Sequence, residues 1–295
     1  MFKGTYTALI TPFASSGEVD YEGFRSNLCH QKSGGVTGVV VLGTTGEPAT
    51  LTDDEQVKLM ELAVAELRGK AKVIAGAGSN STRESIALAQ RAERLGADAV
   101  LVVTPYYNRP SDDGVFLHFK AVAESVSIPV IVYNIQSRTG KNIDPNLMER
   151  IASIPNIVGD KEASGSAAQC GEIIERIGRT GKFCVLSGDD GLALPFLSLG
   201  AKGLISVISN AIPETIVRFV NLCLAGDYAS ARELHHDIIM PMTRLAFSDS
   251  SPVPIKYICG KLGLAGGGVR LPLCAMDGKK QVAIDEGLRA LKLIP

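Results

Sequence analysis

No excess of either charge is present in the 295 residues. Thirty basic residues stand against 31 acidic ones, for a formal net charge of −1. No basic stripe stands out, which argues against nucleic acid or an anionic membrane as partner. Histidine is scarce, with four in the chain. Two of these, His235 and His236, are sequence neighbours that would point in different directions on a helix, so a histidine-based zinc site or a Ser-His-Asp triad is poorly supplied. The six cysteines (Cys29, Cys170, Cys184, Cys223, Cys259 and Cys274) form no C-x-x-C pair and lie mostly in apolar segments, the pattern of reduced thiols in a cytoplasmic protein. Long apolar runs are missing as well. None approaches the ~18 residues of a membrane span, and the opening Met1–Phe13 is too short and too polar to read as a signal peptide.

Hydrophobic residues reach 45% and charged residues 21%, enough for a sizeable core in a soluble chain. Short β-rich runs recur at residues 5–10, 37–42, 72–77, 99–103, 130–134, 157–161, 183–187 and 203–208. They are nearly continuously apolar, as strands covered on both faces must be. Amphipathic stretches follow them, among them 52–67, 82–95, 112–126 and 166–177. Thr52/Glu55, Ser81/Glu84 and Ser166/Gln169 fit the capping box, in which two side chains satisfy each other's free backbone N–H groups at a helix start. Eight β-then-α units fit a closed (β/α)8 TIM barrel better than an open doubly wound sheet. Gly76-Ala77-Gly78 lacks the remainder of a dinucleotide-binding pattern. The barrel takes residues 1–225, carrying the active site, and 226–295 read as an appended helical region with helices near 228–247, 254–262 and 279–293.

Reactive groups of such a barrel sit at the C-terminal ends of its strands. Lys161 ends the sixth run, where burial would disfavour its charged form and free the amine to attack a carbonyl; a lysine snorkelling to solvent is the ordinary alternative. Gly43-Thr44-Thr45-Gly46 offers hydroxyls and backbone N–H groups to a carboxylate, or to a phosphate, or simply turns the chain. Tyr133 ends the fifth run and could shuttle protons or be a core tyrosine. Arg138 could grip a carboxylate with its planar fork or be a solvated loop arginine. Tyr106 and Tyr107 beside Pro105 read as turn-packing aromatics, and Asp189-Asp190 as hydrogen-bonding groups of the barrel rim, with no ligand set to complete a metal site.

Six segments at one spacing carry a resemblance: residues 43–47 (GTTGE), 104–110 (TPYYNRP), 133–140 (YNIQSRTG), 160–165 (DKEASG), 186–190 (LSGDD) and 203–207 (GLISV), with 252–256 and 269–272 in the helical tail. Together they resemble the dihydrodipicolinate synthase / N-acetylneuraminate lyase family over essentially the whole chain. The resemblance implies that Lys161 forms an imine with pyruvate. Tyr133 would be the proton shuttle, linked through Thr44 to a Tyr107 donated across a dimer interface. Thr45 would hold the pyruvate carboxylate, and Gly188 and Ile205 would line the pocket. Arg138, in the Arg-Thr-Gly of the synthase branch, would receive the carboxylate of aspartate semialdehyde in the diaminopimelate and lysine pathway, where sugar-acid aldolases have an apolar residue.

The resemblance further implies no metal and no organic cofactor, and a homo-oligomer built as a tetramer of two dimers. Asn80, Glu84 and Tyr106 match a lysine effector site, whereas Pro48, Asp53 and Gln56 depart from it, so feedback by lysine is expected to be weak or absent. Two more departures bear on the site. Gln136 replaces a usual proline and should loosen the Arg138 loop or hold it through side-chain hydrogen bonds. Asp160 replaces an apolar residue, and strand alternation points it to the helix layer, where it needs a partner. A pyruvate-dependent aldolase of sugar acids, and a non-catalytic barrel that only binds a keto acid, are the competing readings.

Overall fold

A computed structural model describes residues 2–295. Eight parallel strands close on themselves in chain order: β1 (Gly4–Ala8), β2 (Gly38–Val41), β3 (Lys72–Gly76), β4 (Ala99–Val103), β5 (Val130–Asn134), β6 (Ile157–Glu162), β7 (Cys184–Ser187) and β8 (Gly203–Ser206). All eight apolar runs read from the sequence are strands, trimmed or shifted at their ends by a residue or two. Their continuous apolarity has the expected cause, since β2 and β5 are buried at every position, with the barrel interior on one side and helices on the other.

Helices Asp53–Leu67, Thr82–Arg94, Asp112–Glu124 and Ala167–Arg176 occupy the amphipathic stretches. Of the three expected capping boxes one is complete: the Thr52 hydroxyl accepts from the Glu55 N–H, and the Glu55 carboxylate accepts from the Thr52 N–H. Ser81 and Ser166 make their half only. Glu84 turns instead to the Ser79 hydroxyl (2.6 Å), and Gln169 to Glu162, Asn142 and the Ile143 carbonyl, because these partners lie deeper than the helix end.

Beyond residue 225 the chain is helical, at Tyr228–Leu234, Met240–Ala246, Val253–Lys261 and Gly278–Ala290. The first two are joined by a wider π turn over His235–Ile239, just ahead of Pro241, which has no N–H to continue the regular ladder. No helix among the described residues is long and apolar enough to cross a membrane.

One irregularity decides the site. Val130 pairs with Ile157, but Ile131 pairs with Gly159, so β6 carries one extra residue. Without that bulge Asp160 would stand level with Tyr133; with it, Lys161 does. Partners in a parallel ladder share a face, so Tyr133 and Lys161 face the barrel interior while Asn134, Asp160 and Glu162 face the helices. The Asn134 amide donating to the Glu162 carboxylate at 3.1 Å agrees with that division.

Candidate active site

Lys161 and Tyr133 meet inside the barrel, with the Lys161 Nζ 4.0 Å from the centre of the Tyr133 ring. Both are buried, at 6% exposure each. Burial strips water from the ammonium and is the largest influence on it; the Asp190 carboxylate works against that, and the Arg138 guanidinium adds to it. The net effect brings the Lys161 pKa down from 10.5 to about 7, so a substantial share of amine is free near neutrality. Burial likewise pushes the Tyr133 phenol up to about 12, against the opposing influences of Arg138 and the Thr44 hydroxyl. The phenol is therefore neutral at pH 7 and available as a proton donor.

Beside Tyr133 opens a cavity of about 430 Å³ lined by Thr44, Tyr133 and Arg138 among others; Lys161, Thr45, Gly188 and Ile205 are not among its lining residues. Thr44 reaches it because the chain leaves β2 through a tight 3-10 turn, Thr44–Gly46, flanked by Leu42 and Glu47 in the left-handed region (φ 59° and 55°). Gly76 makes room for that turn, since a Cβ there would stand 2.1 Å from the Leu42 carbonyl oxygen. Thr45 is buried within the turn.

Arg138 rides on one helical turn, Gln136–Thr139, closed by Gly140 at φ 71°. Gln136 occupies the first position of that turn, where a helix needs no N–H and where proline is equally suited. The loop is held, but not by the Gln136 side chain; the Gln136 carbonyl accepts the Gly140 N–H at 2.8 Å. The Thr139 hydroxyl lies 2.9 Å from both the Ile135 and the Lys141 carbonyl, to either of which its one proton can donate, and accepts from the Lys141 N–H at 3.3 Å.

Gly188 packs against the lysine itself. A Cβ on it would lie 3.0 Å from Lys161 Cγ and 3.1 Å from Cε, while its N–H is committed to the Glu162 carbonyl at 2.8 Å. Gly188→Ala should therefore displace the amine and slow capture of a carbonyl substrate about tenfold or more, measured as the single-turnover rate of adduct formation; an unchanged rate would show that the stem has room. Ile205 is buried on β8, in line with Tyr6.

Asp190 is a neighbour of the lysine that the sequence reading left as a rim group. It does bind the rim: its carboxylate accepts from the Ser206 hydroxyl (2.5 Å) and the Val207 N–H (2.9 Å). It also supplies the negative charge that acts on Lys161, although burial raises its own pKa to about 6. Ser251, Pro252, Pro272 and Leu273, all from the helical tail, line the cavity too. Their signal was the proline-bearing segments 252–256 and 269–272, for which the sequence offered no role.

Two groups stand apart from the cavity. Tyr107 does not line the cavity of its own chain: it is 89% exposed, with φ 70°. Asp160 faces the helix layer but finds no donor for either oxygen. Burial, and then the nearby Glu162 carboxylate, raise its pKa well above the ordinary carboxylate range, which favours the protonated form, able to donate to Glu162. The expected partner is thus an acceptor and not a cation.

Of the effector residues, Glu84 and Tyr106 line the same cavity and Asn80 does not, its carbonyl taking the Asn108 amide at 2.9 Å. Asp53 and Gln56 are engaged by Arg91, at 2.8 and 2.6 Å.

The family model described as the Dihydrodipicolinate synthetase family matches residues 1–291. The chain belongs to this family. A 4-hydroxy-tetrahydrodipicolinate synthase of Archaeoglobus fulgidus is 46% identical over 294 residues, covering 100% of both chains, and one of Methanosarcina mazei is 43% identical over 291 residues, covering 99% of each. Among solved structures, the chloride-inhibited dihydrodipicolinate synthase of Acinetobacter baumannii complexed with pyruvate superposes with a TM-score of 0.96 at 35% identity, covering 100% of both chains. The dihydrodipicolinate synthetase fold therefore extends over the whole chain, tail included.

Proposed function

We propose that the chain condenses pyruvate with L-aspartate 4-semialdehyde, acting as a 4-hydroxy-tetrahydrodipicolinate synthase in diaminopimelate and lysine biosynthesis. The observation that carries this is a buried, readily deprotonated Lys161 with a neutral Tyr133 phenol at its side. The Lys161 amine adds to C2 of pyruvate, and the Tyr133 proton leaves with the departing water to give an iminium. That electron sink lets the phenolate take a methyl proton, leaving an enamine. The enamine carbon attacks the aldehyde. The amino group of the second substrate then adds to C2, closes the ring and releases Lys161.

In this reading Thr45 binds the pyruvate carboxylate, Gly188 and Ile205 wall the pocket, and Thr44 relays protons towards Tyr107. No metal or organic cofactor takes part. Exposed as it is, Tyr107 does its work in the site of a second copy, so the working form is at least a dimer, and a tetramer of two dimers is the assembly the reading favours. The six free cysteines suit the cytoplasm. A barrel over 1–225 with a helical region over 226–295 remains the division of the chain, with the tail contributing lining residues to the site. With Arg91 occupying Asp53 and Gln56, lysine is expected to bind weakly at Asn80, Glu84 and Tyr106.

The test is borohydride reduction in the presence of pyruvate, with peptide mass mapping of the adduct. Absence of an adduct on Lys161 sinks the Schiff-base reading. Coupled assays with aspartate semialdehyde and with N-acetylmannosamine separate the synthase from the sugar-acid aldolase; turnover of the sugar alone would reverse the choice. Arg138→Leu should raise KM for aspartate semialdehyde about a hundredfold by removing a charge-assisted contact, while pyruvate is still trapped. Because Arg138 lowers the Lys161 pKa, the pH midpoint of trapping should also move upward. An unchanged KM would assign the second substrate elsewhere.

A further inference from the structure

Glu47 closes the Gly43–Glu47 segment and takes no part in the chemistry above, yet its carboxylate is among the most deeply buried in the chain. Its Oε1 accepts from the Lys256 Nζ at 2.6 Å, with the two side chains 2% and 1% exposed. Its Oε2 accepts from the Arg270 N–H at 3.2 Å. Lys256 lies on the tail helix Val253–Lys261 and Arg270 on the loop that follows. The Arg270 guanidinium in turn donates to the Thr50 carbonyl (2.8 Å) and to both oxygens of Glu55 (2.8 and 2.6 Å). Phe13, just past β1, receives both cations on its ring, Lys256 Nζ at 4.2 Å and Arg270 Cζ at 4.4 Å from the centroid. The tail therefore grips the segment after β2 at three successive points, Glu47, Thr50 and Glu55.

A buried ion pair is a poor source of stability, because desolvation offsets its attraction. Here burial lowers the Lys256 pKa more than Glu47 raises it. What the pair does supply is a fixed position. The Thr44–Gly46 turn is bracketed by two non-glycine residues in the left-handed region, a conformation that costs about 1 kcal/mol or more each and persists only where the surroundings over-determine it. Glu47 is one of those two, and its N–H also closes the turn on the Thr44 carbonyl at 3.2 Å. On the far side, the Thr11 hydroxyl holds the Gly46 carbonyl at 2.8 Å.

We propose that Glu47, Lys256 and Arg270 are positioning residues, a charged tie by which the C-terminal helical region holds Thr44 and Thr45 in place over Tyr133 and Lys161. The kinetic part rests on the Schiff-base reading. The structural part does not. Replacing the pair by apolar residues of similar length, Glu47→Leu with Lys256→Met, removes the arm to Glu47 without leaving a buried charge alone, while Arg270 keeps its bonds to Thr50 and Glu55, and the fold should survive. In this double variant, amide hydrogen exchange of the peptide spanning residues 42–51 should quicken at least tenfold, kcat should fall and KM for pyruvate rise, each about tenfold. Borohydride trapping on Lys161 should slow alongside. Exchange, kcat and KM within twofold of the wild type would overturn the proposal and leave the pair a packing feature. If the wild type itself traps no pyruvate, the Schiff-base reading fails, and exchange at residues 42–51 still decides the tie. Should the double variant not fold, Arg270→Met, which cuts the arms to Thr50 and Glu55 but spares the buried pair, is read in the same way.

Discussion

Replacing Lys161 by methionine should abolish pyruvate capture and at the same time leave a more stable protein. The first half follows from chemistry: Lys161 is the buried amine beside Tyr133, and a thioether cannot form an imine, so the expected loss in kcat/KM is at least about a thousandfold. The second half follows from linkage. A lysine whose pKa falls from 10.5 to about 7 on folding binds fewer protons folded than unfolded. Its penalty is therefore fully present below about pH 7, shrinks as pH rises, and vanishes above 10.5. At neutral pH the penalty is on the order of 4 kcal/mol from the pKa difference, and methionine of similar length escapes it. The wild type should gain stability relative to the variant between pH 7 and 10. The capture rate of the wild type should rise through about pH 7 as free amine accumulates. Urea midpoints of both proteins across that range, with trapping rates for the wild type, check the account; a variant less stable than the wild type at pH 6 would contradict it.

Asp160→Asn should raise stability, increasingly so with pH. The sign is opposite in origin. Asp160 has its pKa raised on folding, so the folded chain keeps this proton to a higher pH than the unfolded chain does. Such a group costs nothing while pH is below the unfolded value, and stability is lost steadily as pH rises from there towards the folded value. Asparagine is neutral at every pH and its amide can donate to Glu162, replacing the acid's proton. The gain at pH 7 is expected in the range of about 1–3 kcal/mol, the scale for a buried polar group without its partner. For a chain of this size that is several degrees in Tm. Since Asp160 faces away from Lys161, kcat should stay within about twofold. Thermal unfolding of both proteins between pH 5 and 9 is the measurement, and parallel pH curves would refute a proton held at Asp160.

The barrel, its strand count and the lysine at the sixth strand were legible because they depend on local pattern: apolar runs, helix-start residues and a charged residue at a strand end. Glu47 shows what was not. Its partners are 209 and 223 residues away, and nothing in the sequence near it distinguishes a buried carboxylate from a solvated one. Tyr107 was read from its segment alone as a turn-packing aromatic, yet it is exposed, and only the resemblance supplied another use for it. The two half-made capping boxes failed for a related reason, since Glu84 and Gln169 met stronger partners that only the folded chain provides. Asp160 lies between these cases. Alternation correctly turned it to the helix layer, but its state depends on what is packed there.

The extra residue in β6 has a consequence for how such a chain can change. Side chains alternate with a period of two, so sliding the end of β6 back by one residue would exchange its two sets of side chains. The interior would then receive Asp160 and Glu162, and the amine would be sealed among the helices. A keto acid entering the barrel would meet carboxylates where it now meets an amine, with the amino-acid content almost unchanged. Loss of Val158 would not cause this slide, because it removes the extra residue and leaves Tyr133 level with Lys161; closing the bulge with the residue kept would.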